Sequence, residues 1–257
     1  MRVLVVAIGL LCAAPPSSSS APFHVDDRVA VRTKLRDDAA ACLVHLHGNE
    51  PLARETMLAL QGSSCTNALW FTKAGSDEPW PVERIPLPTT GGACTVNPNR
   101  VFTASGRKQA IERDCDDDPV AQVELERFVA DVLAPKLAAC RGDARRLPVV
   151  AFHNNSNLTL GEMDARSTFR PDKKAPPGNF LLVTRDADFQ RLVALARFDA
   201  ALQNDPPADD GSLSVALHGE RYINVEALLA PQNRAADRAM GEQAIRLVDA
   251  LACRVPR

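Results

Sequence analysis

The sequence lacks an excess of either charge, because 30 Lys and Arg residues stand against 32 Asp and Glu residues and leave a formal net charge of -2. This balance excludes a global basic surface for nucleic acid. The chain also lacks the roughly 20 consecutive apolar residues that a transmembrane helix needs, because its N-terminal apolar run covers only residues 3–14. We see no internal repeat. With 46% apolar and 24% charged residues, the composition is that of a globular protein and not of a disordered one.

The N-terminal segment has the pattern of an export signal. Arg2 precedes the apolar run of residues 3–14, which has the length of a signal-peptide core, and residues 15–22 form a tract of Pro, Ser and Ala. We therefore predict a signal peptide and processing segment over residues 1–21 and a periplasmic or secreted mature protein over residues 22–257. Lipidation at Cys12 is a second reading of the same segment. After signal cleavage we expect no stable membrane span.

Six cysteines remain in the predicted mature chain, namely Cys42, Cys65, Cys94, Cys115, Cys140 and Cys253. Their even number favours disulfide bonds in an exported protein. Their spacings do not contain the paired CxxC pattern of a structural zinc site. Six cysteines allow 15 pairings, among which the sequence does not choose.

The apolar pattern predicts strands that alternate with helices. One helix should begin with Asp118 as its N-cap and Pro119 in its first turn. Its apolar face should consist of Val120, Val123, Phe128, Val129, Val132 and Leu137. Segments 74–98 and 154–178 are predicted as loops. The other predicted elements are strands at 40–46, 68–72, 148–152, 180–184, 213–217 and 222–225, and helices at 51–61, 187–202 and 233–252. This alternation predicts an α/β fold, as a single domain with a mainly parallel, mixed central sheet flanked by helices.

Two candidate metal ligands stand where a buried strand turns into a helix. His47 and Glu50 form an H-x-x-E sequence directly after the predicted strand 40–46. His153 follows another buried strand, so a parallel sheet would bring it to the same edge. Imidazole nitrogens and carboxylate oxygens are good zinc ligands, and a catalytic zinc commonly takes three protein ligands. Taken alone, an H-x-x-E is a common coincidence, and a single strand-end histidine is more often a hydrogen-bonded structural residue.

Three short motifs occur together in an order that resembles the zinc carboxypeptidase clan. They are the tetrapeptide His47-Gly48-Asn49-Glu50, the hexapeptide Asn-Pro-Asn-Arg-Val-Phe at residues 97–102, and the tripeptide Phe152-His153-Asn154. Within this clan, the succinylglutamate desuccinylase and aspartoacylase branch looks closest. The resemblance implies a zinc carboxypeptidase-like fold and a zinc hydrolase-like catalytic domain over residues 22–257.

The resemblance also implies a ligand set and a substrate-binding pair. It implies one Zn2+ ion per chain, held by His47, Glu50 and His153. It further implies that Asn99 and Arg100 bind a carboxylate of the substrate. The planar, always charged guanidinium of an arginine matches a carboxylate with two parallel hydrogen bonds, so this residue type suits the role.

A late strand supplies the general base in this family. Residues 222–226 resemble that strand, which implies that Glu226 is the base. A carboxylate beside a zinc site can take a proton from water and return it to the leaving amine. The chain departs from the family at Ala151, because members often have an Asp two residues before the third ligand. Support for the ring of His153 would then have to come from elsewhere.

Together, these expectations describe one function and one alternative. The first is an exported zinc-dependent hydrolase that cleaves an amide bond adjacent to a free carboxylate, either as a carboxypeptidase or as an N-acyl amino acid deacylase. Its substrate would be a small carboxylate-bearing peptide or an acylated amino acid, and we expect no nucleic acid partner. The alternative is a non-catalytic exported ligand-binding module on the same fold.

Overall fold

Ten strands form two sheets in the residues that the computed structural model describes, which are 24–76, 82–142, 146–171 and 178–249. They are β1 (Val29–Lys34), β2 (Ala41–His45), β3 (Thr66–Lys73), β4 (Ile85–Thr89), β5 (Gly92–Val96), β6 (Val149–Asn155), β7 (Ala165–Phe169), β8 (Phe180–Val183), β9 (Asp199–Gln203) and β10 (Tyr222–Leu228). β4 and β5 form a hairpin of their own. The predicted signal segment 1–21, Cys12 and Cys253 lie outside the described residues.

The other eight strands form one mixed sheet in the order β1-β3-β2-β6-β10-β8-β9-β7. The neighbours β3 and β2, β2 and β6, and β6 and β10 are parallel, as are β8 and β9. The edge strands β1 and β7 and the step from β10 to β8 are antiparallel. The central strand β2 is buried along its whole length, as expected for a parallel strand covered on both faces. The predicted mainly parallel, mixed sheet is confirmed.

Helices cover both faces of this sheet. They are α1 (Pro51–Ser63), α2 (Ala104–Asp114), α3 (Pro119–Phe128), α4 (Ala134–Arg141), α5 (Asp186–Leu195), α6 (Leu213–Ala216) and α7 (Arg234–Leu247). α1 and α7 pack on one face, where Met57 and Met240 share a buried cluster with Phe152 of β6. α2 and α3 pack on the other face, where Ile111 and Phe128 belong to a second cluster. No helix in the described part of the chain is long and apolar enough to cross a membrane.

The helix predicted from Asp118 begins as expected, but two residues of its predicted apolar face are exposed. The Asp118 carboxylate accepts hydrogen bonds from two backbone N–H groups of the first turn of α3, which is the usual action of an N-cap. Val120 and Val123, which we expected on the apolar face, are exposed, whereas Phe128 is buried as predicted, together with Leu125. Val129, Val132 and Leu137 pack against the same core cluster. The prediction of that face was therefore wrong for Val120 and Val123 and confirmed for the other four residues. Side chains that follow Val120 by five and eight positions lie on another side of a 3.6-residue helix.

Other segments differ from the sequence prediction because tertiary pairing overrides local pattern. Segment 74–98 contains the β4–β5 hairpin, and segment 154–178 contains β7. Residues 199–202, predicted as the end of a helix, belong to β9, which pairs with β8 after α5 ends at a left-handed Ala196. Residues 213–217, predicted as a strand, form the short helix α6, since a short apolar run does not distinguish the two. Helix α2 was not predicted.

Two disulfide bonds fasten elements that are distant in sequence. Cys42–Cys140 joins β2 to α4, and Cys94–Cys115 joins β5 to the end of α2. Cys65 is disulfide-bonded as well. Disulfides persist in oxidising compartments outside the cytosol, so these bonds are compatible with the predicted export. The second bond also holds the hairpin that leads directly into the motif at residues 97–102.

Candidate metal centre

The carboxyl ends of β2 and β6 bring the first and third predicted ligands to one edge of the sheet. The two strands are parallel neighbours. His47 follows β2 by two residues, and His153 lies near the end of β6. The chain then turns into α1, which begins at Pro51 and leaves Glu50 at the helix boundary. Proline is favoured in the first turn of a helix, so Pro51 marks where the loop after β2 ends and α1 begins.

His47, Glu50 and His153 converge on one point. One ligand atom from each residue can be chosen so that all three lie within 4.8 Å of one another. Nδ1 of His47 lies 2.9 Å from Oε1 of Glu50, and Nδ1 of His153 lies 3.4 Å from the same oxygen. Glu50 and His153 are buried, whereas His47 is partly exposed. The group could therefore hold a metal ion, and it opens to solvent on the His47 side.

Asn97 determines which nitrogen of His47 faces the group. Oδ1 of Asn97 accepts a hydrogen bond from the backbone N–H of Asn99 at 2.7 Å and lies 2.9 Å from Nε2 of His47. Since this oxygen can only accept, Nε2 of His47 carries the proton and donates it. In a neutral imidazole the lone pair of Nδ1 then points at Glu50. Two acceptors only 2.9 Å apart require a proton or a cation between them.

The charge of Glu50 favours the cation. Burial raises the pKa of Glu50, but the charges and hydrogen bonds of His153 and His47 outweigh burial and lower it to about 2. Burial lowers the pKa of His153, but the Glu50 and Glu226 carboxylates together raise it above its usual value. Among the described residues, Oε2 of Glu50 has no hydrogen-bond partner, and its nearest charged partner is Nδ1 of His153 at 3.4 Å. A buried anionic oxygen without a hydrogen bond is costly, so a metal ion bound there would relieve that cost. Two imidazoles and one carboxylate are a donor set that suits zinc.

Glu226 lies beside His153 on the neighbouring strand. The parallel pairing of β10 with β6 sets Glu226 opposite His153, so both side chains lie on one face of the sheet. The side-chain amides of Asn155 and Asn224 donate to its two oxygens at 3.3 and 2.8 Å. Burial raises the pKa of Glu226, although His153 opposes this shift. Glu226 is thus a carboxylate held in place beside the metal group with increased basicity.

Asn99 and Arg100 follow β5 in a short 3-10 helix. Oδ1 of Asn99 accepts from the first backbone N–H of α6 at 3.0 Å, which joins this turn to α6. The charge of Arg100 acts on His153, where it lowers the pKa in opposition to Glu50. Nη1 of Arg100 lies 2.9 Å from Oδ2 of Asp210. The predicted carboxylate-binding arginine is therefore near the metal group and already has a carboxylate partner.

Sequence reasoning missed both Asn97 and Asp210. Asn97 is the first residue of the hexapeptide motif, and its N-cap position before a proline was a signal that could have been used. No local pattern marks Asp210, because it is 110 residues from Arg100 and meets it only through the fold. Contacts of this kind depend on the strand order.

A polar network lies next to His153, on the side of α1 and α7. Asn154 accepts from a backbone N–H of α1 at 2.6 Å, and its side chain acts on Asp237 of α7, whose pKa it lowers. Asp237 also accepts from the hydroxyl of Thr56 at 2.8 Å. Within the described residues, Nε2 of His153 has no hydrogen-bond partner. The resemblance leads us to expect an Asp at position 151 that supports this ring. The chain has Ala151 there, and no described residue replaces that support at Nε2. The network instead ties the end of β6 to both helices.

Comparison with known proteins adds no relative to this picture. No protein-family model, no curated protein and no solved structure matches the chain. The resemblance to the zinc carboxypeptidase clan therefore rests on the sequence motifs alone. The mixed α/β architecture stands on the structure alone.

Proposed function

We propose that this protein is an exported zinc-dependent hydrolase that cleaves an amide bond adjacent to a free carboxylate, as a carboxypeptidase or an N-acyl amino acid deacylase. The proposal includes membership of the zinc carboxypeptidase clan, closest to the succinylglutamate desuccinylase and aspartoacylase branch. The observation that carries it is the convergence of His47, Glu50 and His153 within 4.8 Å. The hydrogen bond from His47 to Asn97 supports it, because that bond directs a lone pair into the group.

A zinc ion held by the His-Glu-His group would supply a Lewis acid that polarises the scissile carbonyl and acidifies water. Glu226 would take the proton of the attacking water on a carboxylate oxygen and return it to the leaving nitrogen. The water oxygen would first form the new C–O bond, and the C–N bond would then break as the nitrogen receives the proton, which yields a carboxylic acid and an amine. Asn155 and Asn224 hold Glu226 for this task, since each donates to one of its oxygens.

Arg100 would bind the free carboxylate of the substrate. A guanidinium and a carboxylate form two parallel hydrogen bonds, which orients the substrate as well as holding it. The partner of Arg100 in the structure, Asp210, is itself a carboxylate. The substrate carboxylate would therefore take the place of Asp210, and the exchange conserves the charge around Arg100.

The first experiment measures metal content. Purified protein offered Zn2+ and then dialysed should retain about one zinc per chain by elemental mass spectrometry. His153→Ala should lose this zinc, because it removes one of three ligands. His218→Ala is the matched control, since His218 bonds to Asp205 and is outside the metal group. Failure of the wild-type protein to retain stoichiometric metal would refute the zinc hydrolase.

The second experiment separates catalysis from binding. Glu226→Gln keeps the shape of the side chain but removes the base, so it should abolish hydrolysis of acylated amino acids while zinc content is unchanged. Glu112→Gln, an exposed residue paired with Lys108 on α2, should leave the rate unchanged. Zinc retention without hydrolysis by the wild-type chain, across peptides and N-acyl amino acids, would favour the non-catalytic binding module. Undiminished hydrolysis by Glu226→Gln would remove Glu226 from the mechanism.

A further inference from the structure

The first turn of α1 is not capped by the residue at its N-cap position. Glu50 occupies this position, and among the described residues its side chain accepts no hydrogen bond from the backbone N–H groups of that turn. An N-cap residue usually satisfies one of these groups with its own side-chain oxygen. Oε1 of Glu50 instead lies 2.9 Å from Nδ1 of His47 and 3.4 Å from Nδ1 of His153. The first turn of α1 therefore needs an acceptor from elsewhere in the fold.

Asn154 of β6 provides that acceptor. Its Oδ1 accepts from the backbone N–H of Ala53, the third residue of α1, at 2.6 Å. Asn154 is 9% exposed and Ala53 is 0% exposed, so this bond is shielded from water. A buried N–H group without an acceptor is costly, so the bond stabilises the start of α1. A side chain of β6 thus replaces the N-cap residue as the acceptor for this turn.

The surroundings of Asn154 fix the orientation of its amide. Nδ2 lies 3.3 Å from the backbone oxygen of His153 and 3.4 Å from the backbone oxygen of Ala227, and both oxygens can only accept. The same side chain lowers the pKa of Asp237, which is the effect of a donor on a carboxylate. The N–H groups of the amide therefore point at these acceptors, and Oδ1 remains for Ala53.

This hydrogen bond links the segments that carry two of the proposed metal ligands. Asn154 directly follows His153 in β6, and Ala53 follows Glu50 by three residues. The bond therefore fixes the first turn of α1 relative to the end of β6, and with it the position of the Glu50 carboxylate beside the His153 ring. Successive residues of a strand point to opposite faces of the sheet, so the side chain of Asn154 points away from the metal group.

We propose that Asn154 is a positioning residue of the metal centre, which caps α1 in place of Glu50 and so leaves the Glu50 carboxylate for the metal ion. It acts through Glu50 and does not touch the metal. Without the acceptor of Asn154, the first turn of α1 loses its link to β6, and the N-cap position of Glu50 then favours capping over metal binding. This inference rests on the zinc site of the proposed function and not on the hydrolysis assigned to it.

Zinc affinity tests this role. Asn154→Leu keeps the branched shape of the side chain and removes its hydrogen bonds, and Asn154→Ser is a second variant that places no bulk against α1. Each should weaken zinc binding by about 10- to 100-fold in a chelator competition. Urea unfolding shows that each variant is folded under the conditions of the competition. Undiminished zinc affinity in both folded variants would overturn the inference.

The matched control removes a helix cap outside the metal group. The Asp118 carboxylate accepts from two backbone N–H groups in the first turn of α3. Asp118→Ala should therefore lower the midpoint of urea unfolding and leave zinc affinity unchanged, since Asp118 is not part of the metal group. A loss of zinc affinity in Asp118→Ala as large as that in Asn154→Leu would show a general effect of destabilisation and would overturn the inference.

A double-mutant comparison separates positioning from a general effect on the fold. Glu50→Ala removes the ligand itself, so adding Asn154→Leu should change zinc affinity by about twofold at most. A further loss of about tenfold would contradict an action through Glu50. The visible absorption of bound Co2+ is a second readout, because Asn154→Leu and Glu50→Ala should give one spectrum that differs from that of the wild type. A wild-type spectrum in Asn154→Leu would also contradict the proposal.

The wild-type protein distinguishes failure of this inference from failure of the proposed function. Zinc bound by the wild type and equally by the Asn154 variants would reject the positioning role and leave the zinc hydrolase standing. Zinc lost as predicted, without hydrolysis by the wild type, would support the positioning role and favour the non-catalytic binding module. A wild type that binds no zinc would reject both.

Discussion

Asp237 is a buried acid whose ionisation should destabilise the fold. Its side chain is 0% exposed and accepts from the hydroxyl of Thr56 at 2.8 Å. Burial raises the pKa of Asp237 from 3.8 to about 6, by more than the hydrogen bonds to Thr56 and Asn154 lower it. Replacement by asparagine keeps an oxygen for Thr56 and removes the titration. Asp237→Asn therefore isolates the contribution of the Asp237 proton to the pH dependence of the free energy of unfolding.

The sign follows from the raised pKa. The folded protein holds the proton of Asp237 at pH values where the unfolded chain has already released it. The stabilisation is therefore complete below the unfolded pKa of 3.8 and is lost as the pH rises through about 6. A difference of about 2 pKa units at 1.36 kcal/mol each corresponds to about 3 kcal/mol. Between about pH 3 and about pH 8, the wild type should lose about 3 kcal/mol more free energy of unfolding than Asp237→Asn.

Urea unfolding at several pH values measures this difference. The disulfide bonds should be kept oxidised, and a chelator should be present so that metal binding by the histidines adds no pH dependence of its own. Glu242→Gln is the control, because it removes a partly exposed carboxylate from the same helix and should follow the wild type. Parallel curves for wild type and Asp237→Asn would refute the reasoning, since Asp237 would then ionise alike in both states.

Two further predictions concern the partner of His47 and the close approach of Gly106 to Gly211. Asn97→Leu removes the acceptor of His47 and should weaken zinc binding by about 10- to 100-fold in a chelator competition. Asn97→Asp keeps an acceptor and should bind zinc as tightly as wild type. Equal zinc affinity in all three proteins would contradict the role of Asn97. At Gly106, a Cβ would lie 2.0 Å from Cα of Gly211. Gly106→Ala should therefore cost about 1–3 kcal/mol in urea unfolding. Gly161→Ala, with no described atom within 4 Å of its Cβ, should cost less, and an equal cost for both would rule out this close approach.

Local sequence was sufficient for features that depend on neighbouring residues. The H-x-x-E spacing places His47 and Glu50 in one strand-to-helix turn, and Pro51 marks the start of the helix. The alternation of apolar runs predicted the mixed α/β sheet. The meeting of His153 with His47 was also predictable, because parallel neighbours end at the same edge.

The sequence was insufficient wherever one local apolar pattern is compatible with both a helix and a strand. Residues 199–202 continue a helical apolar spacing, yet they form β9, which is buried along its whole length between β8 and β7. Residues 213–217 show the reverse case, because a predicted strand is the short helix α6 in the structure. An apolar run of this length is compatible with either state until its neighbours are known.

The sequence by itself determined which residues can ligate a metal and which strands carry them to the edge of the sheet. Only the tertiary structure decided what surrounds them. It set Asn97 against His47, Asn224 against Glu226, and Asp210 against Arg100. The last pair is separated by 110 residues, and no periodicity extends over such a distance. The physical reason is that hydrogen bonds and ion pairs act over a few ångströms, so distant residues interact only after the strand order has brought them together.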